Sequence, residues 1–354
     1  MTEFLIGAVA VVAALALFQI VYLRGPDLRA FDAATGERHG VGQPPSAEHQ
    51  AVVASLGGIS QALKGVPRRQ HLAWLRRYMD TAFPVDDPAL RILPVDAGGV
   101  PAEWVLAPKA DPRRRLLYIH GGAWTMGSPT SHRRLTAKFS EVANAAVLAI
   151  DYRLMPEHPR RAGIDDCRTA WRWLLDHGPE GATPASALFV AGDSAGGNLT
   201  LSLIAWVRDQ GLRAPDAAVA LSPATDGTLG SPSLKANIPT DPMLGPLFKG
   251  LARVPRTLML WGGWAQTRIR PCDPSVSPVF GDLAGLPPVL VQASEAEMLF
   301  DDCRRYVNKA AAAGSPVVLQ SWSHMVHVWQ LFHPELPEAQ SAFDEIGRFL
   351  RQAA

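Results

Sequence analysis

Six short apolar runs punctuate the last two-thirds of the chain: Leu116–Ile119, Ala146–Ile150, Leu188–Ala191, Ala218–Leu221, Val289–Gln292 and Val317–Gln320. Between them apolar residues return at helical spacing, as in Ile164, Cys167, Trp171, Leu174 and Leu175. Uninterrupted apolar strands alternating with amphipathic helices predict an α/β architecture: a mostly parallel sheet with helices on both faces. Leu90–Val95 and Glu103–Leu106, joined through Gly98-Gly99, predict an antiparallel pair that opens the sheet. Upstream, Val52, Leu56, Ile59 and Leu63, then Leu72, Leu75 and Met79, mark helices within Ala47–Phe83. The segment from Thr225 to Leu286 breaks the alternation with Pro, Gly and large apolar residues, and reads as an insertion at the C-terminal edge of the sheet.

The first residues follow another pattern. Phe4 to Leu23 is an uncharged apolar run between Glu3 and Arg24. A helix of that length covers roughly 30 Å of hydrocarbon. It lacks the leading basic residues and small-x-small site of a signal peptide, so an uncleaved transmembrane helix is expected. Arg24, Arg29 and Arg38 follow it and no basic residue precedes it. The positive-inside rule then puts the rest of the chain in the cytoplasm. The expected organisation is an anchor over 1–24, a polar linker over 25–46, N-terminal helices over 47–89, and one α/β domain over 90–354 carrying the 225–286 insertion.

Composition narrows the classes. The 354 residues carry a net charge of +1 with acidic and basic side chains interspersed, so no nucleic-acid partner is expected. The three cysteines, Cys167, Cys272 and Cys303, form neither a disulfide framework nor a metal-ligand spacing. Neither a metal nor an organic cofactor is expected, and nothing in the chain signals an oligomeric state.

Two segments carry the chemistry. His120-Gly121-Gly122-Ala123-Trp124 follows one apolar strand, and Gly192-Asp193-Ser194-Ala195-Gly196-Gly197 follows another and opens a helix. Gly-x-Ser-x-Gly in strand–turn–helix context is a nucleophile elbow: the flanking residues are small because the turn is tight, and the serine Oγ is held exposed at its tip. The helix beginning at Ala195 adds an unpaired N–H and the positive end of its dipole.

These motifs, with Asp151-Tyr152-Arg153-Leu154-Met155-Pro156-Glu157-His158-Pro159, Leu221-Ser222-Pro223-Ala224-Thr225-Asp226, Gly285-Leu286-Pro287-Pro288 and Met325-Val326-His327-Val328-Trp329, resemble the hormone-sensitive-lipase-like α/β-hydrolase esterases in both content and order. The resemblance runs from about Leu90 to the C-terminus. It implies an α/β-hydrolase fold with a helical cap, to which 47–89 and the insertion contribute. It implies a serine carboxylesterase with Ser194 as nucleophile and His327 as base, acting on small to medium apolar esters. The acid lies in Ser294-Glu295-Ala296-Glu297; the family's motif points to Glu297, with Glu295 its rival. Oxyanion-hole amides are expected from Gly121, Gly122 and Ala195, and Ala123 stands where many members have a third glycine.

Other residues have plainer expectations. His324-x-x-His327 has zinc spacing but lacks a third ligand motif. Asp301 and Asp302 suit the first turn of a helix. His120, His158 and Asp193 are expected to shape loops. Trp124, Trp261 and Trp264 are candidate walls of a substrate pocket. Two further readings share the fold: an amidase or deacetylase with the same triad, and a non-catalytic ligand receptor, disfavoured by the presence of His327.

Overall fold

A computed structural model describes residues 2–250 and 253–353. The helices are α1 (Thr2–Phe18), α2 (Ala47–Lys64), α3 (His71–Ala82), α4 (Arg133–Ala143), α5 (Arg160–Asp176), α6 (Ala195–Asp209), α7 (Ser233–Ala236), α8 (Gly245–Phe248), α9 (Arg256–Thr267), α10 (Phe300–Ala312) and α11 (Pro337–Ala353). The strands are β1 (Glu37–His39), β2 (Arg91–Asp96), β3 (Pro101–Leu106), β4 (Asp111–Ile119), β5 (Ala145–Ile150), β6 (His177–Gly178), β7 (Gly181–Ala182), β8 (Ala187–Asp193), β9 (Ala217–Leu221), β10 (Val289–Ser294) and β11 (Val317–Trp322).

Nine strands form one sheet in the order β1-β11-β10-β9-β8-β4-β5-β3-β2, and β6 pairs β7 separately. Only β3 runs against the other eight, since β2 and β5 both pair it antiparallel. The six apolar runs and the opening pair lie where the pattern puts them. Side-chain alternation splits each strand between two cores. Leu117 and Ile119 of β4 pack with Leu188 and Val190 of β8 on the face that α5, α6 and α10 cover. Leu116 and Tyr118 pack with Phe189 and Ala191 on the face beneath α2, α4 and α11. This two-sided burial explains why the strands read as continuous apolar runs.

The N-terminal residues depart from expectation. Among the described residues no helix is long and apolar enough to cross a membrane. α1 has 17 residues, about 26 Å at the α-helical rise, and then loosens into a π-helix over Gln19–Leu23. The last residues of the expected span are committed to the protein's own surface. Gln19 and Leu23 are buried, and the Gln19 amide donates to Thr257 Oγ1 at 3.0 Å. Those contacts leave a segment shorter than a bilayer core.

The linker expected over 25–46 instead packs as a strap. Asp32 pairs with the buried Arg305 of α10 through two hydrogen bonds, and Asn308 donates to the carbonyls of Phe31 and Ala33. β1 adds a parallel edge strand to β11, with the His39 ring stacked on Trp322 at 4.2 Å. Glu-Arg-His has no apolar alternation, so nothing in the sequence signals this strand.

Removing residues 1–26 leaves the strap in place and is expected to lower the melting temperature of the remaining domain less than removal of the strap does. Removing 1–45 strips β1 and the Asp32–Arg305 pair, and is expected to lower it by about 5 °C or more. Thermal denaturation of both truncations followed by circular dichroism checks this, and equal melting temperatures would deny the strap a structural role.

Candidate active site

Ser194 joins β8 to α6 with φ +52° and ψ −115°, a conformation costly for a non-glycine residue and sustained only by its surroundings. Its amide donates to Leu221 O at 2.7 Å, and its carbonyl accepts from Asn198 N at 3.0 Å. Glycine is required on both sides. A Cβ at Gly192 would stand 2.6 Å from Ile119 O, and one at Gly196 would collide with the same carbonyl.

The loop after β11 brings His327 to the elbow, with Nε2 2.9 Å from Ser194 Oγ. On the other side of the ring, Nδ1 is 2.5 Å from Glu297 Oε2. Glu297 follows β10 and is fully buried. Its second oxygen accepts from Ser294 N at 2.8 Å and from Ser222 Oγ at 2.9 Å. Ser222 also accepts from Val328 N at 3.3 Å, so one hydroxyl ties the carboxylate to the residue after the histidine. Burial opposes a charge on His327, but the hydrogen bond and negative charge of Glu297 outweigh it, with Asp241 and Asp193 adding to the effect; the imidazole pKa lies above its ordinary value.

Glu295 lies elsewhere. Arg38 of β1 clamps it with two hydrogen bonds of 2.6 Å, and Ser321 Oγ donates to it at 2.9 Å. It serves as the strap's anchor on the turn that carries Glu297. The insertion holds the same turn: Asn237 Nδ2 donates to the carbonyls of Glu295 and Glu297 at 2.9 Å, and Asp241 accepts from Met298 N.

Asp193, beside Ser194, is a second buried carboxylate with a different task. Its Oδ1 accepts from Tyr118 Oη at 2.7 Å and from Gly121 N at 3.0 Å, while Oδ2 faces His132 Nε2 at 3.3 Å. Burial raises its pKa, but His132 and the Tyr118 hydroxyl overcome that, and the net shift is downward. His120 stacks on Tyr152 at 4.3 Å. Burial, with His132 nearby, holds its pKa down to about 3, so it is neutral.

The Asp193 contact corrects the expected oxyanion set. The Gly121 amide is spent on fixing the loop to Asp193. The amides of Gly122, Ala123 and Ala195 have no acceptor among the described residues, nor do those of Trp124, Gly196 and Gly197 beside them. Gly122 and Ala123 both have positive φ, which turns the backbone just after the committed amide. The pocket expectation changes as well. Trp124 stays on this loop, with the buried Arg160 guanidinium 4.5 Å over its ring. Trp261 and Trp264 sit on α9 and pack instead on Phe18, Trp261 stacked at 5.3 Å and Trp264 edge-on at 5.6 Å. Asp301 and Asp302 are in the first turn of α10, where Asp302 accepts from the amides of Thr225 and Asp226 at the root of the insertion. His324 is exposed, and no group of three potential metal ligands forms among the described residues. Ser222, Asn237, Asp241 and His132 escaped the sequence reading; only Ser222 lay in a motif that could have flagged it.

A family profile described as alpha/beta hydrolase fold matches residues 116–331. The chain is 39% identical over 259 residues to an acetyl-hydrolase of Streptomyces hygroscopicus, covering 73% of this chain and 82% of that one. It is 35% identical over 246 residues to the carboxylesterase/phospholipase LipF of Mycobacterium tuberculosis, covering 68% of this chain and 62% of that relative's length. The crystal structure of an esterase from the bacterial hormone-sensitive lipase family superposes with TM-score 0.76 at 36% identity, covering 88% of this chain and 99% of that one.

Replacing Asp193 by Asn keeps the shape but removes the anion that organises Tyr118, Gly121 and His132. The expected loss is about 2–4 kcal/mol of stability, measured by urea denaturation. A change below about 0.5 kcal/mol would show that the loop does not depend on this charge.

Proposed function

Since the chain belongs to the hormone-sensitive-lipase-like α/β hydrolases, a family of serine ester hydrolases, we propose that Ser194, His327 and Glu297 form its catalytic triad and that it hydrolyses small to medium apolar carboxylic esters. The observation that carries the reading is the unbroken Glu297–His327–Ser194 hydrogen-bond chain. A serine hydroxyl is a weak nucleophile until a base takes its proton, and the base needs a carboxylate to fix its tautomer and stabilise the imidazolium. Ser194 Oγ attacks the ester carbonyl as its proton passes to His327 Nε2. Negative charge gathers on the former carbonyl oxygen, where the amides of Gly122, Ala123 and Ala195 are the available donors. His327 then gives its proton to the departing alcohol, leaving an acyl-Ser194, and water activated by the same histidine releases the acid. The acetyl-hydrolase relative supports a small acyl group, and the carboxylesterase/phospholipase relative supports an ester substrate.

Ser194→Ala is expected to abolish turnover of p-nitrophenyl esters, assayed from acetyl to dodecanoyl, with the fold retained by circular dichroism. Wild-type turnover by this variant would overturn the assignment. Glu297→Gln is expected to reduce kcat by roughly 10³–10⁴-fold, and Glu295→Gln to leave it nearly unchanged. The acid limb of kcat/KM tracks His327, which must be neutral to act. Removing the Glu297 charge removes what raises its pKa while burial still lowers it, so the limb of the Gln variant moves to lower pH. A limb that stays in place or moves up would refute Glu297 as its partner.

A further inference from the structure

The surface around α1 and α9 combines two properties that a solvent-facing surface seldom has together. It is apolar: Phe4 is 82% exposed, Ile6 64%, Leu17 63%, Val21 64%, and Leu247 and Leu258 more than half. It is also cationic without compensation. From Pro242 to Cys272 the chain carries Lys249, Arg253, Arg256, Arg268 and Arg270 and not one Asp or Glu, and Arg24 is the sole charge between Phe4 and Pro26. Arg256 is turned inward to Thr228. Arg24, Lys249, Arg253 and Arg268 are exposed, and no ion pair holds them among the described residues.

The two halves are joined. Phe18 stacks on Trp261 and meets Trp264 edge-on, Gln19 bonds Thr257 beside Leu258, and Arg270 donates to Tyr22 O at 2.8 Å. We infer that this face docks on an anionic lipid bilayer without crossing it. Length argues against a span. Exposed apolar side chains beside a cluster of Arg and Lys suit a boundary where acyl chains and phosphates lie a few ångströms apart. Each exposed cation near such a surface strengthens binding roughly fivefold. A second copy of the chain fits less well, because a two-fold contact would press the same uncompensated positive charges together.

The inference concerns binding alone and stands or falls independently of the catalytic reading. The full chain is floated with vesicles of phosphatidylcholine, or of phosphatidylcholine with phosphatidylglycerol, at low and high salt. Flotation with the anionic vesicles, weakened by salt and reversed by alkaline carbonate, is expected. The double variant Arg253→Gln/Arg268→Asn, whose asparagine tolerates the left-handed backbone at position 268, is expected to bind roughly tenfold or more weakly, with circular dichroism unchanged. Leu258→Ser is expected to weaken binding to the same vesicles. No flotation overturns the inference. So does equal, salt-insensitive binding to neutral vesicles, or resistance to carbonate, which would mark a spanning helix. A dimer that dissolves with Leu258→Ser while vesicles go unbound would assign the face to a second copy instead.

Discussion

The close approach of α6 to the end of β4 governs the architecture of the site. Gly192 and Gly196 leave no room for a side chain between the elbow and the Ile119 carbonyl, and Ser194 takes a left-handed φ because no relaxed turn makes the connection. The strand pairs of β8 with β4 and β9 supply the rigidity that sustains it. Once β8 is central and its turn this tight, the serine stands above the C-terminal edge of the sheet. The loops after β4, β10 and β11 are then the ones that can reach it, and those carry His120–Trp124, Glu297 and His327.

Two buried carboxylates organise what surrounds the serine, and their hydrogen bonds separate their tasks. Asp193 accepts from a phenol, a backbone amide and a histidine. All three partners are structural, so its charge is used up in fixing the loop from His120 to Trp124. Glu297 gives one oxygen to Ser294 N and Ser222 and the other to His327. Fixed on one side, it faces the imidazole with the other, which is the arrangement that orients a base. A buried carboxylate survives only where its lone pairs are filled, so the chain needs Ser222 and Tyr118 as much as the two acids.

Legibility in the sequence followed the range of the interactions. The strands were readable because burial on both faces makes continuous apolar runs, and the elbow because tight sterics demand small residues at fixed spacing. Contacts that join distant segments left no local trace. Nothing in Glu37-Arg38-His39 announces an edge strand, since Arg38 finds its partner, Glu295, 257 positions away. The choice between Glu295 and Glu297 stayed open for the same reason: the two share a turn, and only Arg38 and His327 distinguish them. Gly121 misled because a Gly-Gly pair does not say which amide is free; Asp193, seventy-two positions on, decides it. The apolar run at the N-terminus was legible as apolar, but where its helix loosens depends on Thr257, Trp261 and Trp264.

The strap and the insertion come from distant parts of the sequence and meet on one turn. Arg38 holds the side chain of Glu295, Asn237 holds the carbonyls of Glu295 and Glu297, and Asp241 holds Met298 N. A carboxylate that must stay within hydrogen-bond range of an imidazole cannot sit on a turn free to move by an ångström. The β10 turn has no regular structure of its own to prevent this, so rigidity comes from outside. Within the insertion, the exposed Leu247 and Phe248 follow closely on the residues that fix this turn, and Asn237 and Asp241 tie the insertion to it by direct hydrogen bonds rather than by mere proximity.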